Sequence, residues 1–160
     1  MDPTENLEYL TEDFPPYNFK DQDGKIKGLN VDILIEIFRE LGSAKTREDI
    51  QIKPWAIAYK EAQDSNKKTV LFSTTKTDVR EKLFKWVGPL SYSENAILTL
   101  KGNPHGLKIK HEEDIKNFSC GAVLNDLGHS QLKKYGMDDG KIVITLRFDQ
   151  LLNLLNNKNI

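Results

Sequence analysis

Short β-patterned runs alternate with segments of helical period along the first half of the chain, and this alternation limits the architectures open to it. "NLEYLTED" reads as a strand, and "DIQIKP" and "TVLFS" read as two more. Between the first two, Val31, Leu34, Ile35, Phe38 and Leu41 recur at helical spacing. Between the second and third, Trp55 to Gln63 reads as a short helix with Trp55, Ala58, Tyr59 and Ala62 on one face. A βαβαβ order of this kind implies a parallel sheet with right-handed crossovers. Prolines and glycines mark the boundaries. The two prolines of "FPPYNF" forbid helix and are expected to hold the chain extended. "DQDGKIKG" is a turn by composition, with "KIKGL" as the second arm of a hairpin. Asn30 is expected to cap the first helix and Gly42 to stop it.

After "GPLSYSENAILTL", read as a further strand-rich segment, the pattern restarts. "HEEDIKNF" is a short helix, "SCGAVL" a strand, Leu127 to Tyr135 a helix, "KIVITL" a strand and Phe148 to Asn156 a final helix. Two α/β lobes in series follow, the first over residues 1–95 and the second over 96–160, with the join near residues 91 to 105. No low-complexity tract or sequence repeat interrupts them.

Several function classes are disfavoured by composition. Lys plus Arg is 23 against 24 acidic residues, a net charge of -1, so nothing asks for nucleic acid or an anionic membrane. The longest apolar stretch, "VDILIEIF", is broken by Asp32 and Glu36 and falls short of the ~20 residues of a membrane helix. The acidic start "MDPTENLEYL" is not a signal sequence, so either the protein is cytoplasmic or an export signal or anchor has been removed. The single Cys120 excludes an internal disulfide and, with three scattered histidines, argues against structural zinc. Cys120 lies in an apolar strand pattern and reads as a buried, inert thiol. His105, His111 and His129 stand in polar surroundings and read as solvated. No Gly-x-Ser-x-Gly, His-Glu-x-x-His or Walker loop is present, and no cofactor is called for.

Four segments carry a family resemblance. "EDFPPYNFKDQDGKIKGLNVDILIEIFRELG" resembles the N-terminal signature of the periplasmic amino-acid-binding proteins, the solute-binding components of ABC importers (solute-binding family 3). "KPWAIAYKEAQ" followed by "FSTTKTDVREKLFKWVGPL" is similar to the next signature: a Ser/Thr-rich strand end, Thr-x-x-Arg, then an aromatic–Pro segment. "FSCGAVLNDLGHSQLKKYG" resembles the strand-to-helix entry of the second lobe. The matches run in the family's order over nearly the whole chain. The resemblance implies a Venus-flytrap fold of two α/β lobes with mixed parallel sheets, closing on a ligand held between them. That agrees with the rule that α/β sheets bind ligands beyond the carboxyl ends of their strands.

The resemblance also implies a site. Arg80, the arginine of Thr77-x-x-Arg80, would grip the ligand's carboxylate through two parallel hydrogen bonds; the alternative is a surface pair with Asp78 or Glu81. Ser73 and Thr75 would add hydroxyl and backbone donors, or be ordinary turn residues. Phe14 and Tyr17 would wall the ligand side chain, or pack their rings into the first lobe. Trp55 and Trp86 are core candidates, with Trp55 placed to line the pocket. Asn125 and Asp126 depart from the Gly-Thr pair common in the family. Asp126 either binds a ligand ammonium group or caps the helix that starts at Leu127.

The leading expectation is therefore an exported solute-binding protein, periplasmic or extracellular, for a small amino-acid-like carboxylate delivered to an ABC permease. The alternatives are a ligand-sensing domain of a membrane signalling protein and a dehydratase-like enzyme on the same fold. "RFDQLLNLLNNKNI" resembles the family helix that precedes a cleft strand and a return segment, so the second lobe is expected to be incomplete. An incomplete lobe would weaken binding and favour self-association.

Overall fold

The computed structural model describes residues 2–102 and 106–160, and the chain divides into two compact units, Met1–Ser93 and Glu94–Ile160. His105 lies outside the described residues.

The first unit is built on a parallel sheet of three strands: β1 (Glu8–Thr11), β4 (Ile50–Ile52) and β5 (Thr69–Leu71), in the order β4-β1-β5. β1 is central, pairing Tyr9 with Ile50 on one side and with Val70 on the other. A hairpin of β2 (Phe19–Lys20) and β3 (Ile26–Lys27) follows β1, closed by the turn that the sequence places at "DQDGKIKG". Helix α1 (Leu29–Glu40) lays Val31, Leu34 and Phe38 onto a core with Tyr9, Ile50 and Phe72, as the helical spacing requires. The Phe38 ring meets Tyr9 edge-on at 4.7 Å, and burying a side chain of its size contributes roughly 1.5–3 kcal/mol. α2 (Trp55–Glu61) buries Trp55 and Ala58, and α3 (Asp78–Glu81) is a single turn capped by Thr77, whose hydroxyl accepts from the Arg80 backbone N–H.

Four expectations change. Asn30 does not cap α1; Gly28 occupies the cap position, and Asn30 lies inside the first turn, 2% exposed. The reason is that the backbone N–H groups of Leu29 and Asn30 donate to the carbonyls of Pro16 and Tyr17, so the helix start is already satisfied. Leu41 falls just beyond α1 and is exposed, since the helix ends before its side chain can turn to the core. "FPPYNF" is not extended but reverses the chain: the N–H groups of Tyr17 and Asn18 both donate to the Phe14 carbonyl, and Phe14 N–H donates back to Asn18. Finally, "GPLSYSENAILTL" forms no strand among the described residues, and its Tyr92, Ile97 and Leu98 are exposed. Without a hydrogen-bonded neighbour, β propensity alone does not make a strand.

The second unit pairs β6 (Cys120–Val123) with β7 (Ile142–Thr145) in parallel register, from Cys120↔Ile142 to Val123↔Thr145. α4 (Leu127–Lys134) and α5 (Phe148–Asn156) both pack on β6. "HEEDIKNF" forms a 3-10 helix, Glu112–Asn117, rather than an α-helix. The core gathers Ile115, Ala122, Leu132, Met137 and Ile142, with Cys120 packed beside it; burial pushes the Cys120 thiol above its ordinary range. Gly121 lets α5 close on β6, because a Cβ there would press on Leu151 and Ile160.

Gly28 is the backbone position with least tolerance. Its φ of 128° is open to glycine and little else, and a Cβ would overlap the Tyr17 carbonyl. Gly28→Ala is expected to destabilise the first unit by at least ~2 kcal/mol, read as a lower urea midpoint with an unchanged m-value.

Candidate functional site

In the first unit, β1, β4 and β5 run parallel, so their carboxyl ends share one edge of the sheet. The segments leaving that edge carry most of the residues singled out in the sequence. Phe14 and Tyr17 follow β1, Trp55 follows β4, and Ser73, Thr75 and Arg80 follow β5. The edge is stitched by backbone bonds from Lys53 N–H to the Thr11 carbonyl and from Phe72 N–H to the Leu10 carbonyl.

Arg80 is no solvated surface residue: it is 6% exposed. Its guanidinium lies over the Trp55 ring at 4.8 Å and over the Tyr59 ring at 5.3 Å, and its Nη1 donates to the Thr75 carbonyl at 3.2 Å. Trp55 and Tyr59 stand one helical turn apart on α2 and stack at 5.2 Å, so a single face of one helix supplies the shelf. Phe84 extends it, 5.7 Å from Tyr59, and Trp86 meets Phe84 edge-on at 6.1 Å. Trp86 is only half-buried, and its indole Nε1 has no hydrogen-bond partner among the described residues. A guanidinium over aromatic faces gains cation–π attraction, and its planar fork of N–H donors matches the geometry of a carboxylate.

Neighbouring lysines are engaged elsewhere. Lys53 donates to both Glu61 carboxylate oxygens at 2.9 and 2.8 Å, and that ammonium holds the Glu61 carboxyl below its ordinary range. Lys76 pairs with Glu81 at 2.7 Å, which takes Glu81 away from Arg80.

The other expected residues divide. Phe14 and Tyr17 stack on each other at 5.6 Å, nearly parallel, and both are half-buried. Ser73 is half-buried with φ 58°, and its hydroxyl accepts from Asn30 Nδ2 at 2.8 Å. Thr75 is exposed and contributes its carbonyl to Arg80, where the sequence suggested a hydroxyl or N–H donor.

In the second unit, Asn125 and Asp126 follow the carboxyl end of β6. Asp126 is the cap of α4, its Oδ1 accepting from His129 N–H at 2.7 Å. Asn125 holds φ 62°, and its N–H donates to His129 Nδ1 at 3.2 Å. His129 is therefore part of a local hydrogen-bonded turn rather than freely solvated, whereas His111 is exposed. Among the described residues no group of three or more His, Cys, Asp or Glu side chains converges as a metal site, and no helix is long and apolar enough to cross a membrane.

The profile of the bacterial extracellular solute-binding proteins, family 3, matches residues 9–159. The chain belongs to this family. Solved structures agree on the fold of this family-3 solute-binding protein. An ancestral arginine-binding protein bound to glutamine superimposes with a TM-score of 0.79 at 23% identity, covering 98% of this chain and 67% of that one. A histidine kinase sensor domain with similarity to periplasmic binding proteins gives 0.79 at 20% identity, covering 96% and 64%. An ancestral amino acid-binding protein described as a precursor of cyclohexadienyl dehydratase gives 0.74 at 19% identity, covering 98% and 68%. The chain thus spans about two thirds of the length of these structures. A search of curated proteins gives no match.

Sequence reasoning missed Tyr59 and Asn30. Tyr59 was visible as half of an aromatic pair four residues apart on one helix face, but was given no role; the Asn30 contact had no local signal. The Asp126 cap is directly testable in this family-3 protein. Asp126→Ala is expected to cost about 1 kcal/mol and Asp126→Asn much less, read as amide exchange across α4.

Proposed function

We propose that this family-3 protein binds a small α-amino carboxylate, with Arg80 as the carboxylate anchor and the Phe14–Tyr17 pair beside the solute's side chain. The reading is carried by one observation: a buried arginine, over the Trp55 and Tyr59 rings, at the carboxyl edge of a parallel sheet. The family's extracellular solute-binding role and the amino acids named for similar structures, glutamine and arginine, support it. Ser73 supplies a further hydroxyl at the same edge, and Trp55 acts through Arg80. Asn125 and Asp126 form the corresponding strand-end turn of the second unit, where Asp126 keeps its capping role. The protein works outside the cytoplasm and hands its solute to an ABC permease.

A second reading, a ligand-sensing domain of a membrane signalling protein, is supported by the similarity to the histidine kinase sensor domain. The two share the binding step and differ in the output. A kinase or cyclase domain in the same polypeptide selects the sensor.

The test is a thermal-shift screen of the twenty standard L-amino acids, followed by calorimetry on any that bind. Arg80→Ala is expected to weaken binding by about 2–5 kcal/mol, and Arg80→Lys to recover little of it, because an ammonium cannot present the planar fork. Wild-type affinity in a folded Arg80→Ala protein overturns the anchor assignment.

A further inference from the structure

Asn30 is an uncommon residue to find 2% exposed in the first turn of a helix without capping it. Its amide instead crosses from α1 to the end of β5, where Nδ2 donates to the Ser73 hydroxyl at 2.8 Å. Its Oδ1 is buried with no hydrogen-bond partner among the described residues. Ser73 in turn holds φ 58°, a left-handed conformation that side-chain-bearing residues rarely adopt. Two unfavourable features, a buried amide carbonyl and a left-handed serine, therefore meet at one hydrogen bond.

The direction of that bond has a consequence. A serine hydroxyl has one hydrogen to give and two lone pairs. With a lone pair taken by the Asn30 amide from inside, the hydrogen of Ser73 is left to point away from Asn30. Ser73 is half-buried and leaves the same sheet edge as the segment carrying Arg80. We propose that Asn30 is a positioning residue: it fixes Ser73 in its left-handed conformation and makes its hydroxyl a donor toward a bound carboxylate. This rests on the reading of that edge as the binding face. An aspartate at the same position could only accept, and would draw the Ser73 hydrogen inward. The chemical identity of the amide, not merely its size, carries the function.

The experiment is a double-mutant cycle on solute affinity. The probes are the twenty standard L-amino acids, screened on the unaltered chain, with the tightest binder carried into calorimetry. Ser73→Gly removes the hydroxyl while keeping a residue at ease at φ 58°. Asn30→Asp reverses the hydrogen-bond direction at constant size, and Asn30→Ala removes the donor without adding a buried charge, should Asn30→Asp fail to fold. Each single variant is expected to lose roughly tenfold or more in affinity, the scale of one directed hydrogen bond to a charged group. Combining Asn30→Ala with Ser73→Gly is expected to lose little beyond Ser73→Gly alone, because Asn30 acts only through that hydroxyl. Unchanged affinity in folded Asn30→Ala, or losses that simply multiply in the double variant, overturns the proposal. If the unaltered chain binds none of the probes, the amino-acid reading falls and this inference with it. If binding survives Asn30→Ala yet is lost in Arg80→Ala, only the role of Asn30 falls.

Discussion

The central place of β1 governs the first unit. A strand paired on both sides in parallel forces β4 and β5 to run the same way, so all three carboxyl ends emerge together. No segment has to reach across the sheet for the Pro-rich turn, the Trp55 helix and the Ser73–Arg80 loop to share one edge. The apolar side of the arrangement, with Tyr9, Val31, Leu34, Phe38, Ile50 and Phe72, anchors that edge from behind. An α/β sheet concentrates its ligand chemistry where its strands end, and here the strand order alone accounts for the gathering.

What gathers there is unusually polar for buried material. Arg80, Asn18 and Asn30 are all nearly inaccessible, and Thr11, at the end of β1, is 1% exposed. Each is held by contacts distant in sequence or by the turn backbone: Asn18 Nδ2 donates to the Glu12 carbonyl, and Asn30 reaches Ser73. Burying such groups costs free energy that an apolar core would not incur, and departures of this kind from local rules tend to mark functional sites. Among the described residues of the second unit, the buried ones are all apolar, the set around Ile115 and Ile142.

Much of this was legible before the structure. Phe148 to Asn156 is the α5 helix, because Leu151, Leu154 and Leu155 recur at helical spacing and periodicity is the strongest local signal. The strands of the second unit and Gly42 as a helix stop were legible for the same reason: their causes lie within a few residues. Asn30 was misread because a polar residue just before an apolar run is usually a cap, and the competing partners, the Pro16 and Tyr17 carbonyls, come from a turn formed elsewhere. "GPLSYSENAILTL" was misread because strand formation depends on a neighbour that composition does not reveal. Arg80 could be singled out by its motif, but its aromatic shelf requires α2 and the loop after β5 to be brought together.

The junction at Gly28 has a consequence for how adaptable the aromatic pair is. The carbonyls of Pro16 and Tyr17 receive the first N–H groups of α1, and the Tyr17 carbonyl fills the space where Gly28 lacks a side chain. The turn and the helix are thus joined through their backbones, and the backbone that carries the Phe14–Tyr17 rings cannot shift without breaking the start of α1. For a solute that meets these rings, the loss of freedom a mobile loop would suffer on association, about 0.5–1.5 kcal/mol per ordered side chain, has already occurred during folding. The same rigidity narrows the range of shapes the rings can accommodate. A lineage changing its solute would find it easier to exchange the rings themselves than to move the turn that carries them.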